Sequence, residues 1–211
     1  NLSNNFNLKS INLKIDSLEV LYLENNKKIY KLSLISKKLL EIYLRNVSNN
    51  TLNSINLSNF TNLVALDLSH NFNLIARKKF SELKNVSIVK KLYLNNLFLD
   101  LNEMFQNFSN LNEINLSNNI LNFSNDLQNM MILKDSFLVK SLTLINCSLN
   151  NQKLDLNLNL SKFKIIDYIV LKYNQISIIR KHYFINLNIN HLDLSHNLIH
   201  SIESDSFFNL I

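Results

Sequence analysis

Histidine and cysteine are where metal binding or nucleophilic catalysis would start, and this chain has five of the first and one of the second. His191, His196 and His200 crowd one stretch near the C-terminus. No cysteine or carboxylate joins them at a ligand spacing, so no metal site is expected there. His70 and His196 share one repeat position beside an asparagine and read as polar residues near a turn; the fifth histidine is His182. Cys147 has no base or partner constellation around it, which makes it a buried structural cysteine and not a nucleophile. As the only cysteine it cannot form a disulfide within this stretch. The chain also lacks glycine entirely. Phosphate-cradling loops and the nucleophile elbow both need glycine at fixed positions, so those chemistries are excluded. No catalytic residue, cofactor or metal is expected, and the chain does not read as an enzyme.

What does recur with regular spacing is a row of tyrosines and charges, and it belongs to a repeated unit. The stretch Ile189-Asn-His-Leu-Asp-Leu-Ser-His-Asn197 is apolar at positions 1, 4 and 6 and ends in Asn at position 9. Residues two apart share a face of a strand, so Leu192 and Leu194 point one way while Asp193 and Ser195 point the other. Seven further copies begin at Leu18, Leu39, Leu63, Val89, Leu111, Val139 and Ile166, and Leu2 to Asn5 is the end of a cut one. The period of roughly 21 to 28 residues is that of a solenoid, in which one copy cannot bury its apolar face alone and must stack on the next. Position 9 carries Asn5, Asn26, Asn71, Asn119, Asn174 and Asn197, a ladder of amides able to bond unpaired backbone in the turn. Cys147 takes the same place. Val47 and Leu97 replace the amide, which predicts local irregularity in those two turns.

After Asn174 come Ile176, Ile179, Phe184 and Leu187, and after Asn197 come Ile199, Ile202, Phe207 and Leu210. With this second half the chain resembles the leucine-rich repeat proteins over its whole length, in the "typical" subtype of animal extracellular receptors and adhesion proteins; Toll-like receptor ectodomains and chaoptin-like proteins are the nearest kinds. The resemblance implies an α/β horseshoe solenoid, with a concave parallel β-sheet and an irregular or short-helical convex side. It also implies a protein ligand bound on the concave face. Cysteine at position 9 is a substitution that family accepts. Arrays of this kind close their ends with disulfide-bonded caps, and none is present here. The chain opens and closes inside a repeat, so residues 1–211 are expected to be one piece of a longer array, with about eight full repeats and a partial N-terminal one.

If positions 4 and 6 face inward, positions 3, 5 and 7 face out. The outward set includes Glu24, Glu41, Asp67, Glu113 and Asp193 against Arg45, Lys91 and Lys172. The formal charge of +6 therefore does not lie on this face, and the lysine doublets fall in connecting segments. No nucleic-acid partner is expected. Position 5 runs Tyr22, Tyr43, Asp67, Tyr93, Asn115, Thr143, Val170, Asp193, which places Tyr22 beside Tyr43. Exposed tyrosine offers apolar area with a polar tip and suits a contact surface; it equally suits a strand in a tyrosine-containing chain. The candidate ligand-binding residues are Tyr22, Glu24, Tyr43, Arg45, Asp67, Lys91 and Tyr93.

About forty asparagines with no glycine, proline or tryptophan match the codon bias of an AT-rich genome. In physical terms asparagine must serve the turns that glycine would otherwise serve. Asn-x-Ser/Thr acceptors include Asn46, Asn49, Asn85, Asn107, Asn122 and Asn159. Their excess over chance favours a secreted glycoprotein only weakly, because the repeat itself generates Asn-Leu-Ser. No run approaches the 18 or so apolar residues of a membrane span.

Between the units, Phe6, Leu8, Ile11, Leu13 and Ile15 are expected to cover the core at the N-terminus. Ile29-x-x-Leu32-x-Leu34 and Leu52-x-x-Ile55-x-Leu57 echo the repeat at half period and predict short extended segments on the convex side; a misphased array is the alternative, against which the ladder residues Asn26 and Asn71 argue. Residues 125–134 predict a short helix, and the strict alternation over 154–160 predicts a half-buried strand. The expected function is a protein-binding module of an extracellular or cell-surface receptor or adhesion protein, reaching the membrane only through other parts of the parent protein. The alternatives are an intracellular repeat scaffold, or the substrate-recognition arm of an enzyme whose catalytic domain lies elsewhere.

Overall fold

The computed structural model describes residues 1–48, 51, 56–72, 86, 88–97, 108, 110–120, 139–157, 166–185, 187–208 and 210. The nine-residue units all become strands of one parallel sheet. In chain order these are β2 (Val20–Tyr22), β4 (Glu41–Tyr43), β5 (Ala65–Asp67), β6 (Lys91–Tyr93), β7 (Glu113–Asn115), β8 (Ser141–Thr143), β9 (Tyr168–Val170) and β11 (His191–Asp193). They lie side by side in that sequence, and each pairs with the next in the register that aligns equal positions of the unit, 21 to 28 residues apart. The chain is thus a parallel β solenoid, with little helix among the described residues.

The alternation of the unit explains its burial. Leu21, Ile42, Leu66, Leu92, Ile114, Leu142 and Ile169 at position 4, with the position-6 leucines from Leu23 to Leu171, form the spine of one buried cluster. Stacking removes both apolar positions of every inner strand from water, at about 1.5–3 kcal/mol per fully buried side chain. Leu192 on the edge strand β11, and Leu194 just after it, are only partly buried.

Opposite the main sheet, β1 (Ser10–Lys14) pairs with β3 (Lys31–Ile35), and β10 (Ile178–Ile179) pairs with β12 (Ser201–Ile202), both parallel. The half-period echo at Ile29 to Leu34 is therefore extended, and Ile29, Leu32 and Leu34 enter the same core. Of the second echo only Leu57 is described, inside a 3-10 turn, Leu57–Asn59. The expected cover at the N-terminus is partial. Ile11 is buried, and Leu8 and Leu13 pack partly against the core, but Phe6 is 64% and Ile15 41% exposed; both lie outside β1.

The strand expected over 154–160 is corrected over its described part, 154–157. Residues Asn151–Asn157 form a helix, α1. The Asn150 side chain accepts the Lys153 N–H at 3.0 Å and its carbonyl accepts that of Leu154. This N-cap starts a helix, and Leu154 then turns into the core. The helix expected over 125–134 lies outside the described residues. No described helix is long and apolar enough to cross a membrane.

The turns after the strands are left-handed at position 8 in every unit: Asn4, Asn25, Asn46, His70, Asn96, Asn118, Asn146, Tyr173 and His196 have φ between 53° and 63°. Asparagine pays least of the non-glycine residues for this conformation. The irregularity expected at Val47 and Leu97 is absent, since Asn46 and Asn96 just before them keep the same φ. The reason lies one repeat further on. Asn71 donates from Nδ2 to the carbonyls of Leu68 in its own turn and Leu44 in the preceding one, both at 2.8 Å, and accepts the Val47 N–H at 2.9 Å. Asn119 does the same for Leu116, Leu94 and Leu97, and Asn174 for Leu171, Leu144 and Cys147. One asparagine satisfies two turns, so every second one can be apolar.

Candidate binding face

The outer side of the eight-stranded sheet carries positions 3, 5 and 7 of every unit. On β2, β4, β7 and β8 the two outward residues are half-buried around a buried centre. Strand pairing sets Tyr22 beside Tyr43, Asp67 beside Tyr43 and Tyr93 beside Asp67. The Tyr22 and Tyr43 rings stack, with centroids 4.6 Å apart and planes 9° from parallel. That separation matches the spacing of neighbouring strands, so backbone pairing preorganises the stack.

The tyrosine hydroxyls are anchored by carboxylates. Tyr43 donates to Glu41 at 2.9 Å, and Tyr93 donates to Glu113 at 2.8 Å across to the next strand. Burial, then the bond to the neighbouring carboxylate, holds both phenols well above their ordinary pKa. Lys91 sits 3.7 Å from Glu113, an exposed pair of small energetic value. Arg45 turns to the next turn and approaches His70 Nε2 at 2.9 Å. A guanidinium can only donate, so that nitrogen must be the unprotonated acceptor. Desolvation first, and then Arg45, lower the His70 pKa, which agrees with that assignment.

Of the predicted residues, Tyr22, Tyr43, Asp67 and Tyr93 form one continuous row across four strands. Lys91 and Arg45 flank it through their own partners. Glu24 lies at the N-terminal end of the face, where its carbonyl accepts the Asn4 N–H. Asp67 departs from the picture of an open residue, being 9% exposed. Its neighbours at positions 3 and 7 of the unit, Ala65 and Ser69, are short and buried too. The longer side chains of Glu41 and Tyr43 on β4 and of Lys91 and Tyr93 on β6 flank this column in register.

Other residues of the face lay outside the predicted set. Tyr173 and His196 stack at 4.2 Å, Lys172 Nζ lies 5.2 Å from the Tyr173 ring centre, and Tyr168 meets His191 at 5.7 Å. Reading the unit along positions 3 and 8, as well as 5, brings these pairs into register. On the opposite side Asp155 of α1 receives Tyr183 at 2.8 Å, Arg180 at 3.2 Å and His182 at 3.4 Å, tying the helix to the turn that follows β10.

Ladder residue Cys147 is buried, with its thiol 3.4 Å from the Leu116 carbonyl, and burial pushes its pKa up to about 11. Among the sequons, Asn46 uses the Nδ2 that a glycan would need to reach Asn25 Oδ1 at 2.7 Å. Asn49, Asn85, Asn107, Asn122 and Asn159 lie outside the described residues. Among the described residues no cluster of three or more His, Cys, Asp or Glu could hold a metal ion. Compared with known proteins, the chain matches no family model and no curated protein.

Proposed function

We propose that this chain is a protein-binding array of the leucine-rich repeat type, a horseshoe whose concave face is the outer side of the eight-stranded sheet. In this reading it belongs to an extracellular or cell-surface receptor or adhesion protein and acts by non-covalent recognition. The observation that carries the proposal is the Tyr22–Tyr43 stack at 4.6 Å. It offers a rigid aromatic contact, set by strand pairing and flanked by charges of both signs, which costs little entropy on binding. The half-buried Tyr93 extends the same row beyond Asp67.

The test is a displayed library of secreted and cell-surface protein domains, selected on the wild-type chain and retested on the Tyr22→Ser/Tyr43→Ser variant. Selected domains should lose binding to the variant while its circular dichroism and melting temperature stay near wild type. Domains that hold equally well to both chains would place recognition elsewhere and overturn the proposal.

A further inference from the structure

Three neighbouring positions of the face form a slot. Tyr43, Asp67 and Tyr93 stand at equal register on β4, β5 and β6, so the two tyrosines are two strand spacings apart, about 9.5 Å. Asp67 between them is too short to fill that width. The Tyr93 hydroxyl is drawn toward Glu113 on β7, away from Asp67, and that of Tyr43 toward Glu41 on its own strand. A group held above Asp67 would lie one strand spacing, about 4.8 Å, from the strand of each tyrosine, a separation compatible with the roughly 6 Å reach of a cation–π contact.

The floor has its own requirement. Asp67 is nine-tenths buried, and its Oδ1 accepts only the Ser69 N–H, at 2.8 Å. Among the described residues it takes part in no ion pair. The cation two residues beyond Tyr43, Arg45, is held on His70 instead. Burying a carboxylate without a counter-charge is unfavourable. The rim adds two more carboxylates, Glu41 and Glu113, while Lys91 already lies against Glu113.

We infer that Tyr43, Asp67 and Tyr93 form a receptor slot for the guanidinium of a partner's arginine, with Asp67 as its counter-ion and the two rings as its walls. Arginine fits better than lysine because a planar, weakly hydrated guanidinium stacks on a ring while its fork meets a carboxylate. The slot deepens the reading of this face as a protein-binding surface, and rests on that reading only for the source of the arginine. The chemistry of the slot stands on its own geometry.

The probe is Nα-acetyl-arginine amide, titrated into the isotope-labelled 211-residue chain and followed by the Asp67 carboxyl carbon and the Tyr43 and Tyr93 ring signals. Saturable shifts confined to these residues are expected. Nα-acetyl-citrulline amide, the same shape without charge, should leave them unmoved. Asp67→Asn keeps an oxygen for the Ser69 N–H and should weaken binding about tenfold or more, with an unchanged melting temperature. Tyr93→Leu keeps apolar bulk and should weaken it by a few-fold. Equal responses to arginine and citrulline, or an Asp67→Asn chain that binds as wild type does, would overturn the slot. That failure is distinct from failure of the binding face: domains lost from the Tyr22→Ser/Tyr43→Ser chain, with no arginine response at Asp67, would leave the face standing without the slot.

Discussion

Asn71→Leu is the substitution that most directly tests how the turns are held. By pattern it looks harmless, since Leu97 occupies the same position of the next unit and is fully buried there. The structure predicts otherwise. Losing the Asn71 amide would leave the Leu44 and Leu68 carbonyls and the Val47 N–H without the bonds they now make, at 2.8, 2.8 and 2.9 Å. The turns on both sides, at Val47 and Leu97, have no amide to substitute. Each buried group left unpaired costs about 1–3 kcal/mol, so three cost about 3–9 kcal/mol, a large part of the roughly 5–15 kcal/mol that holds a domain folded. Asn197→Leu is the matched control. There the Leu171 carbonyl keeps its bond from Asn174, and the site is only partly buried. Urea unfolding followed by circular dichroism gives both values, with the slope checked for loss of two-state behaviour. Adding Val47→Asn to the Asn71→Leu chain should restore part of the loss, because the amide it introduces could serve the Leu44 carbonyl. A loss below about 1 kcal/mol for Asn71→Leu, or one equal to that of Asn197→Leu, would refute the shared-amide account.

Leu92→Ala should cost about 2–5 kcal/mol, since Leu92 is 0% exposed, whereas Lys91→Ala beside it should change stability by under about 0.5 kcal/mol in the same unfolding assay. Cys147 should react with a thiol reagent at pH 8 only as fast as the chain opens, because its thiol is buried and its pKa raised to about 11; rapid labelling of the folded chain would contradict its place in the ladder. His70 has a folded pKa below its ordinary 6.5, so the unfolded chain binds more protons as pH falls through the window below that value. Its contribution is complete above 6.5 and is lost on acidification. The wild-type melting temperature should therefore fall more between pH 7 and pH 5 than that of His70→Asn, a change the left-handed turn accepts.

The strands were legible because their signal is local and repeated: apolar positions 4 and 6, two residues apart, state both the element and its buried face. The row Tyr22, Tyr43, Asp67, Tyr93 followed once the units were in phase. What could not be read locally depends on a neighbour in another turn. The regular turns at Val47 and Leu97 rely on Asn71 and Asn119, more than twenty residues away. The burial of Asp67 depends on the longer side chains that flank it on β4 and β6 and not on aspartate itself. The attachment of Arg45 to His70 crosses two units in the same way. At Leu154 the competition was local but between two signals, and the Asn150 cap prevailed over a polar–apolar alternation.

Amides that serve two turns also set how strongly successive repeats are coupled. In a solenoid, stability is close to a sum of repeat terms and nearest-neighbour interface terms. Ladder amides bridge the turns of Leu2 and Leu23, Leu44 and Leu68, Leu94 and Leu116, and Leu144 and Leu171. Between Leu23 and Leu44, and between Leu68 and Leu94, the residue at that position is apolar; between Leu116 and Leu144 it is a thiol at 3.4 Å. The interface terms therefore alternate, strong and weak, along most of the array. Such a chain opens in steps of two repeats, with hydrogen-exchange protection changing at the weak junctions and level across the strong ones.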